Sequence, residues 1–214
     1  MIYYFGEVGS TVKILGLTGP SGAGKSELCR ILETRGLPSL NADEVYHSLL
    51  YPNSPCVKAI AERFGGAVLD EKGNLNRAAL ASVVFSEDGT AKLEELNSIT
   101  HAFVIPEMLE KLKAFEKSGV DAVICDVPLL FESGFDKKCD FTVAVLADVN
   151  ERVKRIIARD KISETAAKNR VSAQKNDEFY ASRADIVIKN EEKGLASLEK
   201  GADAIISLIK GGKT

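Results

Sequence analysis

Residues 12–26 read VKILGLTGPSGAGKS, and few local patterns restrict a chain more. An apolar, β-branched run breaks off into the octet GPSGAGKS, which fits G-x-x-x-x-G-K-[ST] at every fixed position. The stretch SELCRILETRG follows, with Leu28, Ile31 and Leu32 on one face at helical spacing, Gly36 at its end and Pro38 just beyond. Strand, glycine loop and helix in that order place the loop at the C-terminal end of a strand. Gly19, Gly22 and Gly24 let the backbone turn inward so that its N–H groups can face phosphate oxygens. Lys25 can reach terminal phosphates, the Ser26 hydroxyl can ligate Mg²⁺, and the helix adds its positive end. The expected nucleotide site is therefore Gly19, Pro20, Ser21, Gly22, Ala23, Gly24, Lys25, Ser26 and Glu27. A glycine turn that binds nothing is the rival reading, and the flanking strand and amphipathic helix argue against it.

Five short runs have the near-continuous apolar character of strands covered on both faces: 12–18, 37–42, 121–125, 141–146 and 184–189. Helical patterns separate most of them, which predicts an α/β fold: a five-stranded parallel sheet of P-loop NTPase type flanked by helices. Two helical excursions interrupt it. In the first, NRAALASVVF has Asn76 as a cap, and residues 90–117 form a second helical pattern that Pro106 should kink or split. The second runs from about Asn150 to Tyr180 and is rich in Arg and Lys. The organisation expected is a nucleotide-binding core of 11–44, 118–149 and 181–214, an acceptor-binding insertion at 45–117 and a lid at 150–180.

A formal net charge of -3 gives no electrostatic reason to expect nucleic acid or an anionic membrane as partner, and no apolar run is long enough to span a membrane. The opening MIYYFGEVGSTVK does not read as a signal peptide and is taken as an N-terminal extension. Cys29, Cys56, Cys125 and Cys139 contain no C-x-x-C pair, so buried reduced thiols and a cytoplasmic setting are expected, with a monomer plausible. No Asn-Lys or Thr-Lys dipeptide occurs, so the [NT]-K-x-D guanine signature is missing. Paired insertions suit a kinase that closes around two substrates and shields the transferred group from water.

The acids near the loop admit two readings each. Asp43, in SLNADEV, follows the second strand, expected beside the P-loop strand. It can be the base that accepts an attacking hydroxyl's proton, or the N-cap of a helix starting near Glu44. Asp126 ends the third strand and can hold Mg²⁺ directly or through water, or be a buried structural acid. Arg152, Arg155 and Arg159 share a helical face, either a solvated surface or a counter-charge for phosphoryl oxygens. Arg170 suits a phosphate or a nearby acid. Arg77 opposes the dipole at a helix start, which favours an external anion or an acidic partner. Asn190 ends the fifth strand, near where adenine should lie or at a structural turn.

Taken in order, these pieces resemble the dephospho-coenzyme A kinase family over nearly the full chain. The family's D-A-D is matched by Asn41-Ala42-Asp43, its G-x-L-x-R by GNLNR ending at Arg77, and its His-Pro step by His101-Ala102. D-x-P-L-L-F-E appears as Asp126 to Glu132, including Leu129. An arginine segment follows with Arg155 and Arg159, then R-x-x-x-Q as Arg170 to Gln174 and A-D-x-x-I-x-N as Ala184 to Asn190. The resemblance implies transfer of phosphoryl from ATP, with Mg²⁺, to the ribose 3′-hydroxyl of dephospho-coenzyme A. It implies Asp43 as base, with Lys25 and Arg159 catalytic, and Arg155 and Asn190 on the ATP side. Arg77, His101, Asp126 and Leu129 fall on the acceptor side, and Ser26 and Asp126 serve the metal. Asn41 for the first acid, Ala102 for proline and Glu151 for a frequent glutamine depart from the pattern.

Overall fold

An all-apolar strand is stable only between two covering layers, and the architecture supplies both. The structure, a computed structural model, describes residues 12–85, 89–191 and 195–211, so the expected N-terminal extension lies outside the described residues except at its end. The strands are β1 Lys13–Thr18, β2 Ser39–Asn41, β3 Ala122–Asp126, β4 Phe141–Leu146 and β5 Ile186–Lys189. All pair in parallel, in the order β2-β3-β1-β4-β5. The strand of Asp43 is thus not the neighbour of β1, as the sequence reading has it; β3 lies between them. Crossover helices explain the order, because parallel strands close in sequence need not be adjacent. Asp126 at the end of β3 is paired in register with both Leu17 of β1 and Asn41 of β2.

The nine helices among the described residues are α1 Lys25–Thr34, α2 Ala42–Ser48, α3 Pro55–Phe64, α4 Arg77–Val84, α5 Gly89–Ser118, α6 Val149–Asp160, α7 Glu164–Ser172, α8 Asp177–Ala181 and α9 Leu195–Gly211. Alternation along β3 divides the core between two faces. Ala122 and Ile124 pack with Leu28 and Leu32 of α1 and Leu198 and Ile205 of α9. Val123 and Cys125 pack with Val104, Met108 and Leu112 of α5 and with Phe135. A third cluster joins α3 and α4 to the start of α5 through Ile60, Leu80 and Val84, and a fourth joins α6 to α7 through Ile156 and Val171.

Two expectations change here. Pro106 neither ends nor splits its helix: α5 runs through it for 30 residues. Proline removes only the bond to the carbonyl four residues back, that of Ala102, and burial of α5 in two clusters outweighs that loss. Helix α3 is not anticipated in the sequence, although Ser54 caps it and Pro55 opens it. Among the described residues no helix is long and apolar enough to cross a membrane. The four cysteines are free, and burial pushes the Cys29 thiol up to about 12.

The motif piece ending at Asn190 includes a strand clamp. Asp185 Oδ2 accepts the N–H of Thr142 at 2.8 Å and its hydroxyl at 2.7 Å, while Thr142 Oγ1 accepts the Asp185 N–H at 3.0 Å. Asp185→Ala leaves a buried Thr142 without its acceptor, and should lower unfolding free energy by about 1–3 kcal/mol in urea denaturation, with Asp185→Asn losing less.

Candidate active site

The loop leaving β1 has no room for side chains at its turns. Gly19 has φ 135°, and a Cβ there would lie 2.2 Å from the Val145 carbonyl of β4. No side-chain hydrogen bond closes the N-terminus of α1 that follows, which leaves its first N–H groups open to an anion. Lys25 folds back over the loop, donating to the Gly19 carbonyl at 2.7 Å and the Pro20 carbonyl at 3.4 Å. Burial pulls its ammonium below the usual range, while Asp126 and then Asp43 oppose that shift. Ser26 is exposed on the first turn of α1 and lines the cleft with Gly19, Ser21, Gly22, Gly24 and Glu27. Pro20 and Ala23 are buried and contribute only backbone. Glu27 is paired with Arg30 at 2.6 Å.

The second edge answers the two readings of Asp43. Helix α2 begins at Ala42, and its cap is Asn41: Asn41 Oδ1 accepts the N–H groups of Asp43 at 2.8 Å and Glu44 at 3.1 Å. Asp43 is not the cap. It stands exposed in the first turn and lines the same cleft as the P-loop. The other end of the Asn41 amide donates from Nδ2 to Asp126 Oδ2 at 3.3 Å. Burial raises the Asp126 carboxyl above its usual range, with Lys25 opposing and Asp43 adding to the rise. Its Oδ1 is buried without a hydrogen-bond partner, an uncommon and costly state for a carboxylate oxygen.

Helix α6 forms the third edge. Arg155 Nη1 donates to the carbonyls of Gly22 at 3.2 Å and Ala23 at 3.3 Å. Arg159 reaches Ser21 Oγ at 3.3 Å and is held by Asp160 at 2.7 Å. Arg170 finds the nearby acid, binding the same Asp160, whose carboxyl is held down at about 2 by Arg159 first and Arg170 after it. Asn190 sits behind the loop, 4% exposed, donating to the Ala23 carbonyl at 2.8 Å, and is not among the residues lining the cleft.

His101 and Leu129 line the cleft beside Asp43, and burial lowers the His101 pKa. A smaller apolar hollow of about 220 Å³ continues from there between α5 and the end of β3, lined by Tyr46, Val104 and Met108. Arg77 is separate from the main cleft. Its guanidinium meets His47 Nδ1 at 2.9 Å in a pocket of about 180 Å³, and because a guanidinium only donates, that nitrogen is the acceptor. Its partner is thus a neutral ring nitrogen where the sequence suggests an anion or acid.

The sequence model of the dephospho-CoA kinase family matches residues 13–195. This chain belongs to that family. A relative named dephospho-CoA kinase from Corynebacterium glutamicum is 37% identical over 196 residues, covering 91% of this chain and 96% of its own. A relative of the same name from Carboxydothermus hydrogenoformans is 35% identical over 197 residues, covering 92% and 93%. The solved dephospho-CoA kinase of Campylobacter jejuni aligns with TM-score 0.65 at 27% identity, over 93% of this chain and 98% of that one. A shikimate kinase from Acinetobacter baumannii, at TM-score 0.50 and 19% identity over 95% and 96%, shares the fold.

Within the family pattern, Asn41 replaces the first acid of D-A-D, and the structure shows what the amide does there: it caps with its oxygen and donates with its nitrogen. Asn41→Ala removes both bonds. It should cost about 1 kcal/mol of stability as a lost N-cap, read in urea denaturation, whereas Asn41→Ser, which keeps a capping oxygen, should recover most of that loss.

Proposed function

We propose that the chain transfers the γ-phosphoryl group of ATP to the ribose 3′-hydroxyl of dephospho-coenzyme A, giving ADP and coenzyme A. One observation carries the reading: the P-loop and Asp43, which caps no helix, line a single cleft of about 1180 Å³ that α5 also lines, with room for two substrates. The P-loop N–H groups and α1 bind and orient the triphosphate. The Asp43 carboxylate accepts the proton of the acceptor hydroxyl as its oxygen bonds to the γ-phosphorus and the bond to the leaving ADP oxygen breaks. Lys25, released from the Gly19 and Pro20 carbonyls, and Arg159 meet the charge on the phosphate oxygens.

The residues present suit Mg²⁺. Bound to the phosphates, such an ion needs only one or two protein oxygens, so the lack of a three-acid cluster among the described residues is no obstacle. Ser26 and the unpartnered Oδ1 of Asp126 line the same cleft and would hold it, and the ion would neutralise charge on the β- and γ-phosphates.

In this reading, residues 45–117 receive the acceptor, with His101 and Leu129 near its reacting end and Arg77 further along. Residues 150–180 act as the lid over ATP, and Asn190 serves the nucleotide indirectly, by holding the Ala23 carbonyl. Free thiols suit a reducing, cytoplasmic setting.

Asp43→Asn keeps the shape and removes the base. Its rate of coenzyme A formation should fall by about 10²–10⁴-fold, with ATP affinity within about threefold of the parent. Turnover close to the parent's would remove Asp43 from the role of base.

A further inference from the structure

Of the three arginines on the inner face of α6, one behaves unlike a surface charge or a phosphate ligand. Arg152 is 3% exposed. Its nearest carboxylate, Asp177, is 4.0 Å away and half exposed, too distant to compensate a buried guanidinium. The donors go elsewhere: Nε to the Ser21 carbonyl at 3.1 Å, and Nη2 to Gln174 Oε1 at 2.7 Å. The same Gln174 oxygen accepts the Ser21 N–H at 3.1 Å. Both neighbours of that oxygen are donors, so the amide must present oxygen there, which leaves its NH₂ for the cleft that Gln174 lines. Both backbone groups of Ser21, in the middle of the P-loop, are therefore gripped from outside. The contact extends one residue on, where a Cβ on Gly22 would lie 2.7 Å from the Arg152 carbonyl.

We propose that Arg152 and Gln174 are positioning residues for phosphoryl transfer, holding Ser21 so that the P-loop keeps its phosphate-binding curvature before nucleotide arrives. A loop that must be ordered at the moment of binding loses affinity by the cost of that ordering, so the clamp acts on ATP and not on the acceptor. Neither residue lines the apolar hollow beside α5. The inference rests on reading the loop as the ATP site and adds to it a fixed link between α6 and the loop. Part of the lid region is thereby a strut of the nucleotide site.

The test uses the full chain and four variants: Gln174→Met, Arg152→Met, Arg152→Lys and the double methionine variant. ADP binding is measured by calorimetry and KM for each substrate by steady-state kinetics. Gln174→Met should weaken ADP binding and raise KM for ATP by about tenfold, while KM for dephospho-coenzyme A stays within about twofold. The double variant should be no worse than Arg152→Met, since either change breaks the same link, and Arg152→Lys should recover part of the loss. Gln174→Met binding ADP like the parent, or raising both KM values equally, overturns the proposal. Should Arg152→Met not fold, Gln174→Met decides alone, because Gln174 is only partly buried and its substitution removes the shared acceptor together with the cleft-facing NH₂. A parent protein that binds no ADP would overturn the nucleotide-site reading itself, a result separate from parent and variant binding equally.

Discussion

The site depends on how the carbonyls of one glycine loop are occupied. A backbone that turns its N–H groups toward an anion must send its C=O groups the other way, and each needs a donor. Lys25 takes those of Gly19 and Pro20, Arg152 that of Ser21, Arg155 those of Gly22 and Ala23, and Asn190 shares that of Ala23. Donors from α1, from α6 and from the end of β5 thus converge on five consecutive residues. Movement of α6 or of the end of β5 would release the carbonyls of Ser21, Gly22 or Ala23 on the outer side of the loop. These bonds tie the arginine-rich helix to the P-loop.

The acid side of the cleft follows from sheet order. With β3 between β1 and β2, Asp126 is in register with both neighbours, and its carboxyl falls between Asn41 and the lysine of the loop. Asn41 then does two jobs that an ionised acid cannot combine, accepting from the first turn of α2 and donating to Asp126. Because the cap is supplied two residues earlier, Asp43 is spared that duty and lines the cleft.

The sheet was legible in the sequence because near-continuous apolar runs such as FTVAVL suit strands covered on both faces, and that strand begins and ends as read. The P-loop was legible because glycine spacing encodes backbone geometry directly. Strand order was not, since crossover length does not say which neighbour a strand takes, and β2 was assigned beside β1. Helix α3 was missed although Ser54-Pro55 is a start signal. Within the site, the cap role offered to Asp43 falls to Asn41, two residues earlier. Arg152 and Arg155 could not be told apart by spacing, because only the packing of α6 on the loop decides which guanidinium is buried.

Product analysis asks whether this cleft joins ATP to one particular hydroxyl. Purified protein is incubated with ATP and Mg²⁺ and, separately, dephospho-coenzyme A, shikimate or a nucleoside, and the products are read by phosphorus NMR and mass. The expected product is a new phosphate monoester on the ribose 3′-oxygen of dephospho-coenzyme A, with one ADP per coenzyme A formed and no comparable product from the others. Phosphorylation of another acceptor in its place, or ATP binding with no transfer to dephospho-coenzyme A, would contradict it.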